Sequence, residues 1–257
     1  MANILFKKSY YHKNFKEIEF QDLWDTHGIF TTMRVIGKPF KILFFNDHLK
    51  NFIKSTKDYN LKKKNTKKNI LKLIKLNLNK KKNYDHLLRI ALNKKIFSIS
   101  LRKKIKIKSN FSAKIINYQR IKPEYKNLKY KKILNLLKKI DMSEKDIILK
   151  NNNKILETVT ANILFVKNNK IYSPINKFYK GTTLNFFDKK IKKIRKKNIF
   201  INHLNYYDEI ILIGSGKGVT SVKSIEKPYW QRKSLKTYRF LLKIYKQAVT
   251  KCPPYNG

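Results

Sequence analysis

The run Glu209-Ile210-Ile211-Leu212-Ile213 limits the fold more than any other segment. It is short enough for a buried strand and far below the ~18 apolar residues that cross a bilayer. Gly214-Ser215-Gly216-Lys217-Gly218 then ends it as a turn. Shorter runs of the same kind recur along the chain. Residues 28–36 alternate as a strand, Gly37-Lys38-Pro39 is a turn signal, and 40–45 read as the hairpin partner. Strands are also expected over 87–92, 96–101, 112–118, 146–150, 162–167 and 170–173, the last two joined at Asn168-Asn169.

Helical spacing marks most of the remainder. Asp47 stands where an N-cap would, ahead of Leu49, Phe52 and Ile53. Residues 61–82 interleave Lys and Asn with Ile and Leu, as a charged surface helix does. A helix over 130–140 would bury Ile133, Leu134, Leu136, Leu137 and Ile140, and two more are expected over 184–194 and 234–250. The pattern changes around Ile121-Lys122-Pro123-Glu124. The expected fold class is therefore α/β in two lobes: a smaller α+β lobe over 1–120 and a larger α/β lobe over 121–257.

A chain of 257 residues with 42% hydrophobic content can build cores of this size. Its 61 Lys+Arg against 16 Asp+Glu leave a net charge of +45, which taken alone points to nucleic acid or an anionic membrane. The excess is mostly Lys, in a chain also crowded with Asn and Ile, and these three residues share A/T-rich codons. A dedicated nucleic-acid face mixes Arg and aromatics, because guanidinium contacts phosphate bidentately. No specific nucleic-acid partner is expected, only salt-sensitive association with polyanions. No apolar run suggests a membrane span, residues 1–15 lack a secretory pattern, and the lone Cys252 fits a reducing cytoplasm.

Four segments, in matching order and spacing, carry more information than any bulk property. They are Gly28-Ile29-Phe30-Thr31-Thr32-Met33-Arg34 with His48-Leu49 after it; Glu157-Thr158-Val159-Thr160-Ala161-Asn162-Ile163-Leu164-Phe165-Val166 with Ile171-Tyr172-Ser173-Pro174; Gly181-Thr182-Thr183; and Asp208-Glu209-Ile210 continuing through Gly214 to Val222. Together they resemble the class IV aminotransferase family, whose fold is fold type IV of the pyridoxal-phosphate enzymes. The resemblance implies a two-lobed fold, pyridoxal 5'-phosphate as cofactor, and a homodimer acting on small amino and 2-oxo acids. It calls for no metal.

The chemistry needs an amine to hold the cofactor's aldehyde, a carboxylate on its pyridine nitrogen, and a cradle for a dianionic phosphate. By resemblance Glu157 is the carboxylate; read alone it would be a surface residue after Asn151-Asn152-Asn153-Lys154. Lys126, in Tyr125-Lys126-Asn127-Leu128-Lys129-Tyr130, matches the family lysine by its Leu at +2 and Tyr at +4, and Lys129 is the alternate. Gly181, Thr182 and Thr183 at a helix start, with Ser215 and Gly216, are expected at the phosphate. Phe30, Thr31, Arg89 and Lys217 are the expected substrate-side residues. The turn Gly214-Ser215-Gly216-Lys217-Gly218 does not satisfy the P-loop pattern.

The chain departs from the family pattern at named positions. Asn51 stands where the family has a phosphate-binding arginine, with Lys50 and Lys54 as candidate replacements. Thr31 replaces a glutamate, Lys180 a proline, Asn185 an arginine and Ser221 a proline. The expected activity is transamination, of a branched-chain type amino acid with 2-oxoglutarate. The alternatives are 4-amino-4-deoxychorismate lyase, towards which Thr31 leans, D-amino-acid transamination, a family member that has lost cofactor affinity, and, from another class, a basic nucleic-acid-binding protein.

Overall fold

The computed structural model describes residues 4–61 and 65–256. Residues 62–64 of the stretch expected as a helix over 61–82, and the first three of the N-terminal segment, lie outside the described residues. The chain divides into two compact units, neither of them one continuous segment. The first takes the chain through Lys104, then Tyr125–Lys131, then the stretch from Lys251; the second takes Ile105–Glu124 and Lys132–Thr250. The single boundary expected after residue 120 thus falls at 104/105, and the chain returns twice to the first unit.

In the first unit, β1 (Ile4–Tyr11), β2 (Glu17–Ile18), β3 (Gly28–Gly37), β4 (Lys41–Ile42), β5 (Tyr84–Asn93) and β6 (Ile96–Lys103) form an antiparallel sheet in the order β2-β1-β6-β5-β3-β4. Two helices, α1 (Phe45–Asp58) and α2 (Thr66–Asn77), accompany it. Strand alternation sends Met33, Val35, Leu88, Ile90, Leu92, Ile99 and Leu101 to one face, where they pack with Phe52, Ile70, Leu73 and Ile74 of the helices. The hairpin partner expected over 40–45 shrinks to two residues, because the chain enters α1 at Phe45 through a left-handed Phe44. Asp47 therefore lies inside the first turn, where its charge still complements the helix dipole.

Backbone hydrogen bonds account for both returns. The Phe30 N–H donates to the Lys126 carbonyl (2.8 Å), and the Leu128 N–H donates to the Gly28 carbonyl (2.9 Å). Ile29 and Asn127 face one another as an isolated antiparallel pair, so the Lys126 segment lies along the start of β3. Near the C-terminus, the Tyr255 N–H donates to the Phe40 carbonyl (2.9 Å) while the two rings stack at 5.4 Å.

The second unit holds two sheets among the described residues. One orders β7 (Ser112–Asn117), β8 (Lys145–Asn151), β9 (Lys154–Thr158), β13 (Ile199–Phe200), β16 (Ser224–Ile225) and β17 (Trp230–Gln231) as β13-β9-β8-β7-β16-β17. The other orders β10 (Asn162–Lys167), β11 (Lys170–Ser173), β12 (Ile194–Lys196), β14 (Glu209–Gly214) and β15 (Gly218–Val222) as β12-β11-β10-β14-β15. Ile148, Ile155, Ile163, Phe165, Ile210, Leu212, Val222 and Trp230 share one core. Residues 209–213 are buried from end to end within β14.

Helices α3 (Lys131–Leu137), α4 (Thr182–Ile191) and α5 (Lys236–Lys251) complete the described elements used below. Only Ile133 of the five residues expected on the buried side of α3 is fully buried, since the helix is two turns long and the rest are partly exposed. Helix α4 starts two residues earlier than expected and ends before Ile194, which instead pairs with Ile171 in a parallel strand. Among the described residues no helix is long and apolar enough to cross a membrane.

Gly28 is the contact on which the Lys126 segment depends. A Cβ there would meet the Leu92 carbonyl and come within 2.5 Å of Leu128 Cδ1. Gly28→Ala is expected to cost about 1–3 kcal/mol by overpacking, read as a lower urea midpoint with an unchanged slope. A variant as stable as the parent would show that Leu128 is not held there.

Candidate active site

In the first unit, Lys126 presents its ammonium to the Phe30 ring, 5.2 Å from the centroid. The alternate, Lys129, is exposed, and its Nζ donates to the Asp25 carbonyl at 2.7 Å. Of the two lysines, only Lys126 is aimed at an expected substrate-side residue.

Strand period separates the rest of the expected substrate set. Thr32 pairs with Arg89 and Phe30 with Ala91, so Phe30 and Arg89 belong to one face of the sheet. Trp24 and Tyr130 cover Phe30 there, with T-shaped contacts at 5.0 and 5.1 Å. Thr31 faces the opposite way, under α1, where its Oγ1 hydrogen-bonds His48 Nδ1 at 3.1 Å. Thr31, expected among the substrate-side residues, thus lies on the face opposite Phe30 and Arg89. Burial pushes the His48 imidazole down to about 3, with the Lys126 charge adding to the shift.

In the second unit, Glu157 lies within β9, not before a strand, and is 5% exposed. Its Oε1 accepts the Arg120 Nε–H at 2.7 Å, and both side chains are almost fully buried. Arg120 also donates to the Pro123 carbonyl at 2.8 Å. The other carboxylate oxygen takes the Tyr179 N–H at 3.4 Å. Asn162 grips the same segment from its other side: its Nδ2 donates to the Tyr179 carbonyl (2.6 Å) and its Oδ1 accepts the Gly181 N–H (3.0 Å). A Cβ on Gly181 would stand 2.7 Å from that amide oxygen. The ETVTAN string is therefore a physical unit, with Glu157 and Asn162 together setting the entry to α4.

This arrangement fits the donor set a pyridoxal phosphate needs. A carboxylate has about four acceptor positions, which is the kind of group a ring N–H needs as its partner. Helix α4 carries no acidic residue in its first turn and no side-chain cap at Gly181, and Thr182 and Thr183 are buried at that positive end. Helix α5 shows the contrast, since buried Glu209 accepts the Thr237 and Tyr238 N–H groups, each at 2.8 Å. The Gly181 N–H, expected at the phosphate, is committed to Asn162 Oδ1.

The turn between β14 and β15 presents half-buried Ser215 and Gly216, and Gly218 closes it at φ 64°. Thr220 Oγ1 pins the turn by donating to the Lys217 carbonyl at 2.9 Å. Lys217, expected on the substrate side, is turned into the unit instead. Its ammonium donates to the Met142 carbonyl (2.9 Å), lies 3.8 Å from Asp146 Oδ2, and sits 4.3 Å from the Phe111 centroid. Burial raises the Asp146 carboxyl, opposed by Lys217 and by hydrogen bonds from Thr160, Ile147 and Thr158. A lysine in this turn thus faces a buried acid.

At the positions that depart from the family pattern, Asn51 is half-buried while Lys50 and Lys54 lie on the exposed side of α1. Ser221 receives a hydrogen bond from Arg232 at 3.1 Å. Arg120 and Asn162, which hold Glu157 and the entry to α4, are not singled out as site residues by the sequence. Arg120's only signal was its being an arginine in a chain whose cations are mostly lysine.

The sequence model of the family described as amino-transferase class IV matches residues 28–225. No curated protein sequence matches the chain. Among solved structures, the chain is similar to a branched-chain aminotransferase from Thermoproteus uzoniensis with norvaline, at 15% identity over 95% of each chain and a TM-score of 0.74. It is similar to the PLP-bound form of a hypothetical aminotransferase from Mycobacterium tuberculosis, at 11% identity over 93% of this chain and 98% of that one, with a TM-score of 0.70. A candidate 4-amino-4-deoxychorismate lyase from Legionella pneumophila matches at 19% identity over 85% and 91%, with a TM-score of 0.68. At these identities the likeness establishes the fold.

His48 gives a pH signature. A histidine held neutral when folded is charged first in the unfolded chain, so stability rises with pH between about 3 and 6.5. The full contribution, on the order of 4 kcal/mol, is present above the unfolded value and lost as pH falls towards the folded one. His48→Asn is expected to flatten urea midpoints over that window. A slope equal to the parent's would assign the dependence to other groups.

Proposed function

The chain belongs to the amino-transferase class IV family, and on that premise we propose that it is a pyridoxal-phosphate enzyme transferring the amino group of an amino acid to a 2-oxo acid. The observation that carries the reading is the buried Glu157 carboxylate, paired with Arg120 at 2.7 Å and receiving the Tyr179 N–H beside the start of α4. Bound pyridoxal phosphate supplies an electron sink for the carbanion formed at the substrate's Cα. Glu157 holds a proton on the pyridine nitrogen through a carboxylate oxygen. The Lys126 amine takes the Cα proton and returns it, as general base and then general acid. Thr182 and Thr183, with Ser215 and Gly216, bind the phosphate through main-chain N–H groups and hydroxyls. Phe30 and Arg89 face the substrate. A branched-chain type amino acid with 2-oxoglutarate as acceptor is the preferred pair, a homodimer the preferred assembly, and the cytoplasm the preferred location.

A lyase acting on 4-amino-4-deoxychorismate is the second reading, supported by Thr31. A glutamate at that position would place a carboxylate under α1; Thr31 gives His48 a neutral partner instead.

Purified protein is expected to be yellow and to bleach with borohydride, and Lys126→Ala to lose both properties while Lys129→Ala keeps them. Colour surviving in Lys126→Ala would move the amine elsewhere, and colourless protein that takes up no pyridoxal phosphate would overturn the reading. Incubation with leucine plus 2-oxoglutarate, and separately with aminodeoxychorismate, divides the two activities. Product in the second assay alone would leave the lyase.

A further inference from the structure

Beside α4, the second unit holds a cavity of about 160 Å³. Its walls come from fixed elements. Leu184, buried in α4, forms one side. Ser173 of β11 and Lys196 of β12, paired in a parallel register, form another. Glu124 joins them on a segment that the buried Arg120 secures through the Pro123 carbonyl at 2.8 Å. The chain between β11 and α4 closes the remainder with Ile175, Lys177 and Phe178. Below the ~300–1,000 Å³ of drug-sized sites, a cavity of this size admits one small molecule.

The lining divides by chemistry. Ile175, Phe178, Leu184 and Ile194 supply apolar surface, and Ile175 keeps 44% of its own surface exposed. Of the charged groups, Lys180 and Asp188 neutralise each other at 2.7 Å. Among the described residues, Glu124, Lys177 and Lys196 form no ion pair, although they line the same cavity with opposite signs. An acid beside lysines gains by pairing with one, and this chain has only 16 acids for 61 cations. Their supports instead hold these charges more than 4 Å apart around the space they share. Lys177 also takes left-handed backbone, at φ 59°, a strained conformation for a residue with a Cβ and one that recurs at ligand clamps.

We propose that this cavity is a receptor for a small zwitterionic amino acid with an apolar side chain. Glu124 takes the ammonium, Lys177 and Lys196 take the carboxylate, and the apolar wall about Ile175 and Leu184 takes the side chain. A ligand carrying both charges completes ion pairs that the lining cannot make with itself, and its side chain covers Ile175. A plain carboxylate would meet Glu124, and a plain amine would meet the lysines, each as an uncompensated like charge. None of the residues put forward for the cofactor or the substrate lines this cavity. Binding there requires neither cofactor nor turnover.

Calorimetric titration of the full chain with leucine, isocaproate and isoamylamine, at fixed ionic strength, tests this. Borohydride treatment beforehand seals any Schiff base, so an amino acid cannot enter by exchange at a cofactor. The parent is expected to bind leucine about fivefold more tightly than either analogue. Glu124→Gln is expected to erase the preference over isocaproate and to keep the preference over isoamylamine. Lys177→Gln combined with Lys196→Gln is expected to do the reverse. All three positions are exposed, so these variants keep the fold. A parent that shows no saturable binding of leucine would overturn the proposal, as would preferences in either variant equal to the parent's. A colourless protein that shows the expected pattern would sink the enzymatic reading alone, and a yellow, active one that lacks it would sink this inference alone.

Discussion

Glu157 is a charge with almost no water around it, and such a group keeps its charge only when another buried group compensates it. Arg120 does so through Nε at 2.7 Å, and its second bond, to the Pro123 carbonyl, fixes the turn just before the Lys126 segment. The second carboxylate oxygen reaches the Tyr179 N–H, and Asn162 holds that residue's carbonyl and the next turn's Gly181. One ion pair therefore organises the strand that carries the acid and the entry to α4. Removing either partner would strand a buried charge at a cost of about 3–5 kcal/mol.

The same economy of charge appears wherever the two units are dry. Glu209 accepts the first N–H groups of α5, while the first turn of α4 carries no acidic residue. Asp146 draws Lys217 inward and takes hydrogen bonds from Thr158 and Thr160, tying the 158–161 turn to the turn that presents Ser215. Below the sheet of the first unit, His48 is kept neutral and bonded to Thr31. Glu157, Glu209 and Asp146 thus each find partners inside the second unit.

Much of this was legible in the sequence, because short-range patterns govern it. The buried run 209–213, the strand at 28–36 and the hairpin about Asn168-Asn169 appear where apolar period and turn residues put them. Thr31 was misplaced for want of register: its neighbours' pairing with β5 decides which face it takes. Lys217 was misplaced because nothing local reveals a buried acid 71 positions away at Asp146. The returns of 125–131 and 251–256 to the first unit rest on main-chain hydrogen bonds, which carry no side-chain signature. Arginine was the overlooked signal. In a chain where codon bias favours lysine, Arg34, Arg89, Arg102 and Arg120 are among only seven arginines, and guanidinium suits dry, multidentate sites that ammonium does not.

The protonation state of the cofactor's ring nitrogen bears most directly on the role given to Glu157. Ring-labelled pyridoxal phosphate bound to the protein can be read by nitrogen NMR, in the parent and in Glu157→Gln. The account predicts a protonated nitrogen in the parent across neutral pH and a neutral one in the variant. A neutral nitrogen in the parent, or the same signal in both proteins, would contradict it.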